Sequence, residues 1–345
     1  MNIVQFRNRV AITAVLVALV LSGASCKKSA DTHSTPLPPA TTKTAPAGPV
    51  ELKLKWFPGQ RIVQTLDVRH TAEISGAGMP SPMKQDMDMG QTFAISVLKD
   101  LPDGGHDVEM EFLSAKMRMT MGGRSLIDYD SSHKSSGAAT NPAAATFQNL
   151  IGAKIRFFLN ASNQVEAVMG VDELQKRMAS GSKNDPAGVL KSMLSEDYFR
   201  QMMEHNRGLP PKPVVPGDSW PVHQEITMGD LGKMDMDFTY TLKDWEKRGE
   251  RYCARIGFDG IIKSKLNQIP SAPGMTIDIK DGKSSGETWF DLDFGMFVDT
   301  TMNQEINMLM TVPIPQQRGR PNAPKSQTVT NIITQAITIK MEPPK

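Results

Sequence analysis

The sequence has little cysteine, few aromatic residues and almost no net charge, and the first and last shortages each exclude a class of protein. Two cysteines in 345 residues exclude a disulfide scaffold and a zinc site built from four thiolates. A formal net charge of +2 gives the chain no overall electrostatic attraction to DNA or RNA, so we expect no nucleic-acid partner. Aromatic residues make up 6% of the chain, whereas methionine occurs 23 times.

Long apolar runs are also scarce. The N-terminal run from Val10 to Leu21 is about a dozen residues long, whereas a membrane-spanning helix needs roughly 20. Arg7 and Arg9 precede this run, and small residues follow it at 22–25. This order of charged, apolar and small residues predicts a secretory signal peptide at 1–25.

Cys26 directly follows the predicted signal peptide and resembles the acylated cysteine of a bacterial lipobox. The resemblance implies a diacylglyceryl thioether and an amide-linked fatty acid, which together would anchor the protein stably in a membrane. Gly23 lies where a lipobox usually has leucine, so cleavage after Ser25 by an ordinary signal peptidase is the alternative. Lys27 is not the aspartate that typically retains lipoproteins on the inner membrane, so the outer membrane is the preferred location.

Residues 26–49 are rich in Pro, Thr, Ala and Ser and have no apolar periodicity. This composition predicts an extended tether between the lipid anchor and the folded body. At the polyproline rise of about 3.1 Å per residue, such a tether reaches on the order of 70 Å.

From residue 50 onward, apolar and polar residues alternate, which is the period of a half-buried β-strand. The pattern is clear in 51–56, 62–74, 87–97 and 117–121. Its phase shifts between Phe112 and Leu113, which predicts a β-bulge. Such alternation is typical of antiparallel sheets with one wet face, so we predict a mainly β fold, all-β or α+β.

Four landmarks occur twice in the same order, which predicts two tandem similar antiparallel β units at 50–170 and 214–342. They are a Pro-Gly turn, an acidic strand with methionine, a turn between long strands, and an aromatic strand with its following turn. The paired copies are 58–60 and 216–218, 86–95 and 235–240, 101–105 and 245–249, and 156–166 and 289–298.

The segment 171–213 predicts a helical bridge between the two units. Asp185 and Pro186 suit the start of a helix. Apolar residues then recur every three or four positions from Val189 to Met203, so one face of this helix should lie on a sheet. A shorter helix is predicted from Asp172 to Ala179.

Methionines separated by one residue share a face on several predicted strands. Thioether sulfurs suit Cu(I), but the histidines show no metal-ligand spacing, so core packing is favoured and no metal is expected. A third interpretation is that a flexible methionine surface adapts to lipids, acyl chains or apolar partners. The residues proposed to line such a ligand site are Met87, Met89, Phe93, Met117, Met119, Met121, Met236 and Phe238.

Candidate catalytic groups are few. The Asp pairs 86/88, 235/237 and 291/293 lie opposite the methionine face, so we expect them to be solvated. The sequence has no Gly-x-Ser-x-Gly, no His-Glu-x-x-His and no Gly-rich phosphate loop. Cys253 lies within a predicted strand and is expected to be a small buried residue. We therefore expect no catalytic residues, no cofactor and no enzymatic activity.

The body resembles a family of bacterial secreted lipoproteins classed only as a domain of unknown function. The resemblance rests on 52–60, the Met-Asp-Met strands, 217–220 and 290–295, and it covers most of 50–342. It implies no known activity. A weaker likeness to periplasmic lipoprotein carriers and lipid-binding half-barrels is one of architecture and rests on no motif.

These observations predict a membrane-anchored extracytoplasmic lipoprotein that binds a hydrophobic ligand, an envelope lipid or a partner protein without catalysis. Its expected partners are the membrane, through the anchor, and a lipid or an envelope protein. The alternative is a structural or assembly protein of the envelope with no small-molecule ligand.

Overall fold

The computed structural model describes residues 40–42, 44–76, 79–133, 147–178, 194–204, 208–227, 232–266, 276–313 and 326–342. The predicted signal peptide and Cys26 lie outside these residues. The strands are β1 (Arg61–Gly76), β2 (Met83–Asp100), β3 (His106–Met121), β4 (Arg124–Asp130), β5 (Lys154–Leu159), β6 (Val165–Met169), β7 (Ser219–Thr227), β8 (Gly232–Arg248), β9 (Arg251–Leu266), β10 (Thr276–Asp291), β11 (Met296–Pro313) and β12 (Ser326–Glu342). The helices are α1 (Val171–Arg177) and α2 (Glu196–Met203), and 147–150 form a helical turn.

All these strands belong to one antiparallel sheet. Its order is β6-β5-β3-β2-β1-β12-β11-β10-β9-β8-β7, and β4 pairs with β3 beside β5. The prediction of a mainly antiparallel β fold is confirmed. The strands within 61–169 form one meander and those within 219–342 form another, and the two meanders join where β1 pairs with β12. The two halves of the chain therefore share a single sheet.

Alternate side chains of the long strands face inward, as the sequence pattern predicted. On β1, Val68 and Ala72 are buried, whereas Arg69 and Glu73 are exposed. Burial of apolar surface stabilises the fold by roughly 25 cal/mol per Å², so this inward face is a main source of stability. The residues proposed from the sequence to line a ligand site are all buried: Met87, Met89, Phe93, Met117, Met119, Met121, Met236 and Phe238.

Strand β3 contains a bulge at Leu113. Thr92 on β2 pairs with Ser114, whereas the next residue, Phe93, pairs with Phe112, so Leu113 is an extra residue in the register. The insertion explains why Phe112 and Met117 are both buried despite their odd spacing. The predicted bulge is confirmed.

Helix α2 differs from the long helix that the sequence predicted. Leu194 and Ser195 are not helical, and Ser195 is the N-cap, whose hydroxyl accepts a hydrogen bond from the Tyr198 backbone N–H at 3.2 Å. Serine favours this role because its side chain satisfies an unpaired N–H of the first turn. The predicted start at Asp185 lies outside the described residues. Among the helices that are described, none is both long and apolar enough to cross a bilayer.

The Asp pairs of β2 and β8 lie on the outer face as expected, but Asp291 corrects the expectation for the third pair. Asp291 is only 3% exposed. Its carboxylate accepts the backbone N–H groups of Asp293 and Phe294 at 2.9 and 2.8 Å, and it lies 3.4 Å from the guanidinium of Arg251. The chain turns between β10 and β11 at this point, and the alternation that predicted a solvated carboxylate ends there.

The segment before β1 is fixed to the second half of the sheet. Val50 and Val214 exchange backbone hydrogen bonds at 3.0 and 2.9 Å. Further upstream, the backbone N–H groups of Thr41 and Thr42 donate to the Asp293 carboxylate at 3.0 and 3.1 Å. Thr41 and Thr42 therefore lie beside the turn between β10 and β11.

Candidate functional site

A cavity of about 290 Å³ lies between helix α2 and the inward face of the sheet. Strands β1, β2 and β3 line it from one side, β7, β8 and β9 from the other, and β10, β11 and β12 line it between them. In the strand order, β3 and β7 stand eight positions apart, yet both contact this cavity. The sheet therefore curls around it.

Aromatic rings from the second half form one wall of the cavity. Phe238 packs edge-to-face against Phe258 with ring centres 5.9 Å apart, and Tyr240 lies 5.3 Å from Phe258. Phe238 and Tyr240 are two residues apart on β8 and therefore face the same side of the sheet. Phe258 on β9 is the direct cross-strand partner of Tyr240, so strand pairing alone brings the three rings together. Interlocked rings give this wall a fixed shape.

Two threonines in the wall form hydrogen bonds within the protein. The Oγ1 atoms of Thr288 and Thr300 are 2.7 Å apart, and the Thr288 hydroxyl also donates to the carbonyl oxygen of Asp299 at 3.0 Å. A bound molecule does not have to satisfy these groups, because buried polar atoms that are already paired carry no penalty. This part of the wall can therefore contact an apolar ligand.

The cavity opens beside the C-terminal end of α2. Gln201, Met202 and Glu204 line it on the helix side, Gln224 and Ile226 line it on β7, and all five are partly exposed. Most of the lining residues from the inner strands are buried, whereas Phe297 and Ile339 are partly exposed. This arrangement suits a molecule whose apolar part lies inside and whose polar end lies at the opening.

The interior of the cavity is uncharged. Burial raises the pKa of Tyr198 and of Tyr240 to about 12, so both phenols are neutral at physiological pH. Among the described lining residues, Glu204 at the opening is the only one with an acidic or basic side chain. A neutral interior favours an apolar ligand, because a charged group would lose its hydration without gaining a partner.

A row of buried polar side chains crosses the inward face of the sheet next to the cavity. His70 on β1 lies opposite Gln335 on β12, which lies opposite Gln304 on β11 and then Ser284 on β10. The Gln335 side-chain amide donates to the Gln304 oxygen at 2.7 Å, and the Gln304 amide donates to the Ser284 hydroxyl at 3.3 Å. The Gln304 amide also lies 3.6 Å from the sulfur of Met302, which lines the cavity.

His70 stands at one end of this row and is 2% exposed. Among the residues that the structure describes, neither ring nitrogen has a hydrogen-bond partner. Burial lowers the pKa of His70 from 6.5 to about 4. The side-chain oxygen of Gln335, which lies near the ring without forming a hydrogen bond of ordinary geometry, and the charge of Asp86 oppose this shift. The imidazole is therefore neutral at physiological pH.

The thiol of Cys253 is suited to packing. The residue is 1% exposed, and burial raises the pKa of its thiol to about 12. The thiolate, which is the reactive form, is therefore negligible at neutral pH. No group of three or more His, Cys, Asp or Glu side chains within the described ranges has the arrangement of a metal site.

Comparison with protein families assigns the chain to a group without a known activity. The model of a family of unknown function, DUF6263, matches residues 103–297. The chain belongs to this family. The matched region contains α2, β7, β8 and β9, and thus much of the cavity wall. Among curated proteins, none matches the chain.

Several solved structures show a distant likeness. A structure titled for lipid–protein interactions in lipovitellin is 8% identical with a TM-score of 0.41, and the match covers 84% of this chain but 25% of that one. An outer membrane channel from Pseudomonas putida is 9% identical with a TM-score of 0.23, covering 86% of this chain and 100% of the channel. A candidate lipoprotein from Parabacteroides distasonis is 10% identical with a TM-score of 0.22, covering 77% and 93%. These scores are too low to support an inference about function.

The residues proposed from the sequence to line a ligand site divide into two groups. Phe93 and Phe238 lie in the cavity wall. The other six are buried on the inward face but do not line this cavity: Met87, Met89, Met117, Met119, Met121 and Met236. Sequence reasoning did not single out Tyr240 and Phe258, although both follow the same alternation, and it assigned the apolar face of α2 only to packing.

Proposed function

We propose that this protein binds a single apolar chain, such as an acyl chain of an envelope lipid, in the cavity beneath α2, without catalysing a reaction. The observation that carries the proposal is an apolar, uncharged cavity with partly exposed polar residues only at its opening. Its volume of about 290 Å³ is just below the range of about 300–1,000 Å³ for ligand pockets. A cavity of this size suits one chain better than a whole multi-chain lipid.

The proposal includes the location of the protein. A lipid on Cys26 would hold the body at the cell envelope, with the outer membrane preferred, where envelope lipids are the available ligands. Metabolic labelling with an alkyne fatty acid tests this part. We expect label on the wild-type protein and none on the Cys26→Ser variant, and an unlabelled wild type would contradict the anchor.

Lipid binding is tested by native mass spectrometry and lipid extraction of the protein purified from membranes. We expect a bound species in the wild type. The Met202→Trp substitution would place an indole at the opening and weaken binding about tenfold or more. Met169→Trp is the matched control, because Met169 is 57% exposed and does not line the cavity.

Two outcomes would contradict the binding proposal. One is a reproducible absence of lipid from wild-type protein. The other is equal lipid content in the wild type and the Met202→Trp variant when both are folded. Either outcome would leave the structural or assembly role as the better explanation.

A further inference from the structure

We propose that His70, Met87 and Met119 form a binding site for Cu(I). Met87 on β2 is the direct cross-strand partner of His70 on β1, and Met119 on β3 is the direct partner of Met87. Directly opposite residues of an antiparallel pair have Cβ atoms about 4.5–5.5 Å apart on the same face of the sheet. Strand register therefore places one imidazole and two thioethers side by side.

The imidazole of His70 is buried without a satisfied nitrogen among the described residues, which is unusual and indicates that it binds a ligand. Buried polar atoms in folded proteins are almost always hydrogen-bonded, and each one left unpaired costs about 1–3 kcal/mol. Neither nitrogen of His70 makes a hydrogen bond of ordinary geometry among the described residues, although the side chain of Gln335 is close enough to form one with a ring N–H. A metal ion bonded to one of these nitrogens would remove that cost.

Gln335 is placed to orient the imidazole. Its amide nitrogen donates a hydrogen bond to the side-chain oxygen of Gln304. Its own side-chain oxygen accepts no hydrogen bond of ordinary geometry within the described part of the chain. A hydrogen bond from one ring N–H of His70 to this oxygen would leave the other nitrogen free as a metal ligand. Metal-bound histidines commonly use their second nitrogen in this way, and the partner fixes the tautomer.

The donor set selects the kind of ion. Thioether and imidazole are the soft and borderline ligands that suit Cu(I), whereas Mg²⁺ and Ca²⁺ require oxygen ligands. All three donors are neutral, and burying a doubly charged ion among them would cost more than burying a monovalent one. Unbranched methionine side chains, with three rotatable bonds each, can bring their sulfurs to one ion.

Both methionine side chains belong to the buried core, with Met87 2% and Met119 5% exposed. The side-chain amide of Gln85 lies 3.8 Å from the sulfur of Met119, so a polar neighbour already contacts this thioether. None of the three proposed ligands lines the cavity beneath α2. The metal site and the lipid site are therefore separate proposals with separate tests.

Anaerobic titration of the purified protein with Cu(I), against the competing chelator bicinchoninate, tests the site. We expect the wild type to retain one equivalent of Cu(I). The Met87→Leu, Met119→Leu double variant should bind about tenfold or more weakly, because leucine fills the same volume without a sulfur. His70→Leu should lose binding as well, and the methionine variants keep the test valid if His70→Leu does not fold.

Met310→Leu is the matched control. Met310 on β11 is 0% exposed and pairs with Ile277 and Val329, away from the row that contains His70. The Met310→Leu variant should bind Cu(I) as the wild type does. With methyl-labelled methionine and Ag(I) as an NMR surrogate, the signals of Met87 and Met119 should shift. No retained Cu(I), equal binding by the double variant, or shifts confined to other methionines would overturn the proposal.

Discussion

Arg156 on β5 forms a two-point ion pair with the fully buried carboxylate of Asp107 on β3, with 2.6 Å between Nε and Oδ1. The Asp107 side chain is 0% exposed, whereas that of Arg156 is 43% exposed. The partly exposed guanidinium of Arg156 therefore neutralises a carboxylate that has no contact with solvent. The pair adds a side-chain contact to the backbone ladder between the six-residue strand β5 and β3.

Arg156→Met should destabilise the protein by about 3 kcal/mol, because it leaves a buried carboxylate without a partner. Urea unfolding at neutral pH measures the change. Lys154→Met is the control on the same strand, since its pair with Glu109 is solvent-exposed and should contribute less than about 1 kcal/mol. Equal losses in the free energy of unfolding for the two variants would show that the pair with Asp107 stabilises the protein no more than the exposed pair with Glu109 does.

His70 makes stability depend on pH in a defined window. Its pKa is 6.5 when unfolded and about 4 when folded, so between these values the unfolded chain binds a proton that the folded chain does not. Stability should therefore fall as pH decreases from 6.5 to 4, by about 3 kcal/mol in total from this group. Unfolding of His70→Leu and wild type at both ends of the window isolates the contribution.

The exposed His223 supplies the control for that experiment, because its side chain is 62% exposed. His223→Gln should keep the acid sensitivity of the wild type, whereas His70→Leu should lose part of it. The same sensitivity in the wild type and His70→Leu would contradict the assignment to His70.

Ser195→Ala should weaken α2 by about 1 kcal/mol, because it removes the cap of the Tyr198 amide. Helix α2 covers the cavity, so bound lipid should also dissociate faster. Hydrogen exchange of the α2 amides measures the first effect. Ser195→Asp retains a capping oxygen and should restore protection, and unchanged exchange in Ser195→Ala would rule out a role for the cap.

Asp293→Ala should release the segment that contains Thr41 and Thr42. Although partial burial acts in the opposite direction, hydrogen bonds from these threonines lower the pKa of Asp293 below its usual value. The attachment is therefore present above pH 3.8 and is lost as pH falls through the lower folded pKa.

The amide protons of Thr41 and Thr42 report this release directly, since both donate to the Asp293 carboxylate. Their exchange should accelerate in Asp293→Ala, with little change in global stability. Asp278→Ala is the control on β10, the strand that precedes the turn with Asp293, because the Asp278 carboxylate is exposed and pairs only with Lys280 among the described residues. Protected threonine amides in Asp293→Ala would show that other contacts hold the segment.

Local periodicity was enough to predict most of the strands, the inward face and the bulge. The segment 51–56 alternates in the same way but is not a strand, because it has no neighbouring strand among the described residues with which to form a ladder. The alternation of Met87 and Met89 with Asp86 and Asp88 fixed which side chains are buried, because side-chain direction depends only on position within a strand. The Leu113 bulge was visible for the same reason. Cys253 is buried as expected, but alternation does not explain it, because Ala254 and Ile256 take the inward positions of β9 and Cys253 alternates with them.

Relationships between distant strands could not be predicted in this way. The pairing of His70 with Met87 and Gln335 depends on the register of the strands. Alternation does not determine this register, because shifting a strand by two, four or any even number of residues keeps the same side chains on the inward face. Asp291 was misjudged because a turn sets its direction. The cavity depends on the curl of the whole sheet around α2, and no single segment of sequence contains that information.

The contact between β1 and β12 has a consequence for how the chain acquires its form. Val63 pairs with Glu342, so β1 cannot form this edge of its ladder until β12 has been synthesised. Until then β1 and β11 each present an unpaired edge, which is a template for aggregation. Contacts so distant in sequence slow folding, because loop closure must precede any gain from pairing. Completion of the sheet therefore depends on the seventeen-residue strand β12.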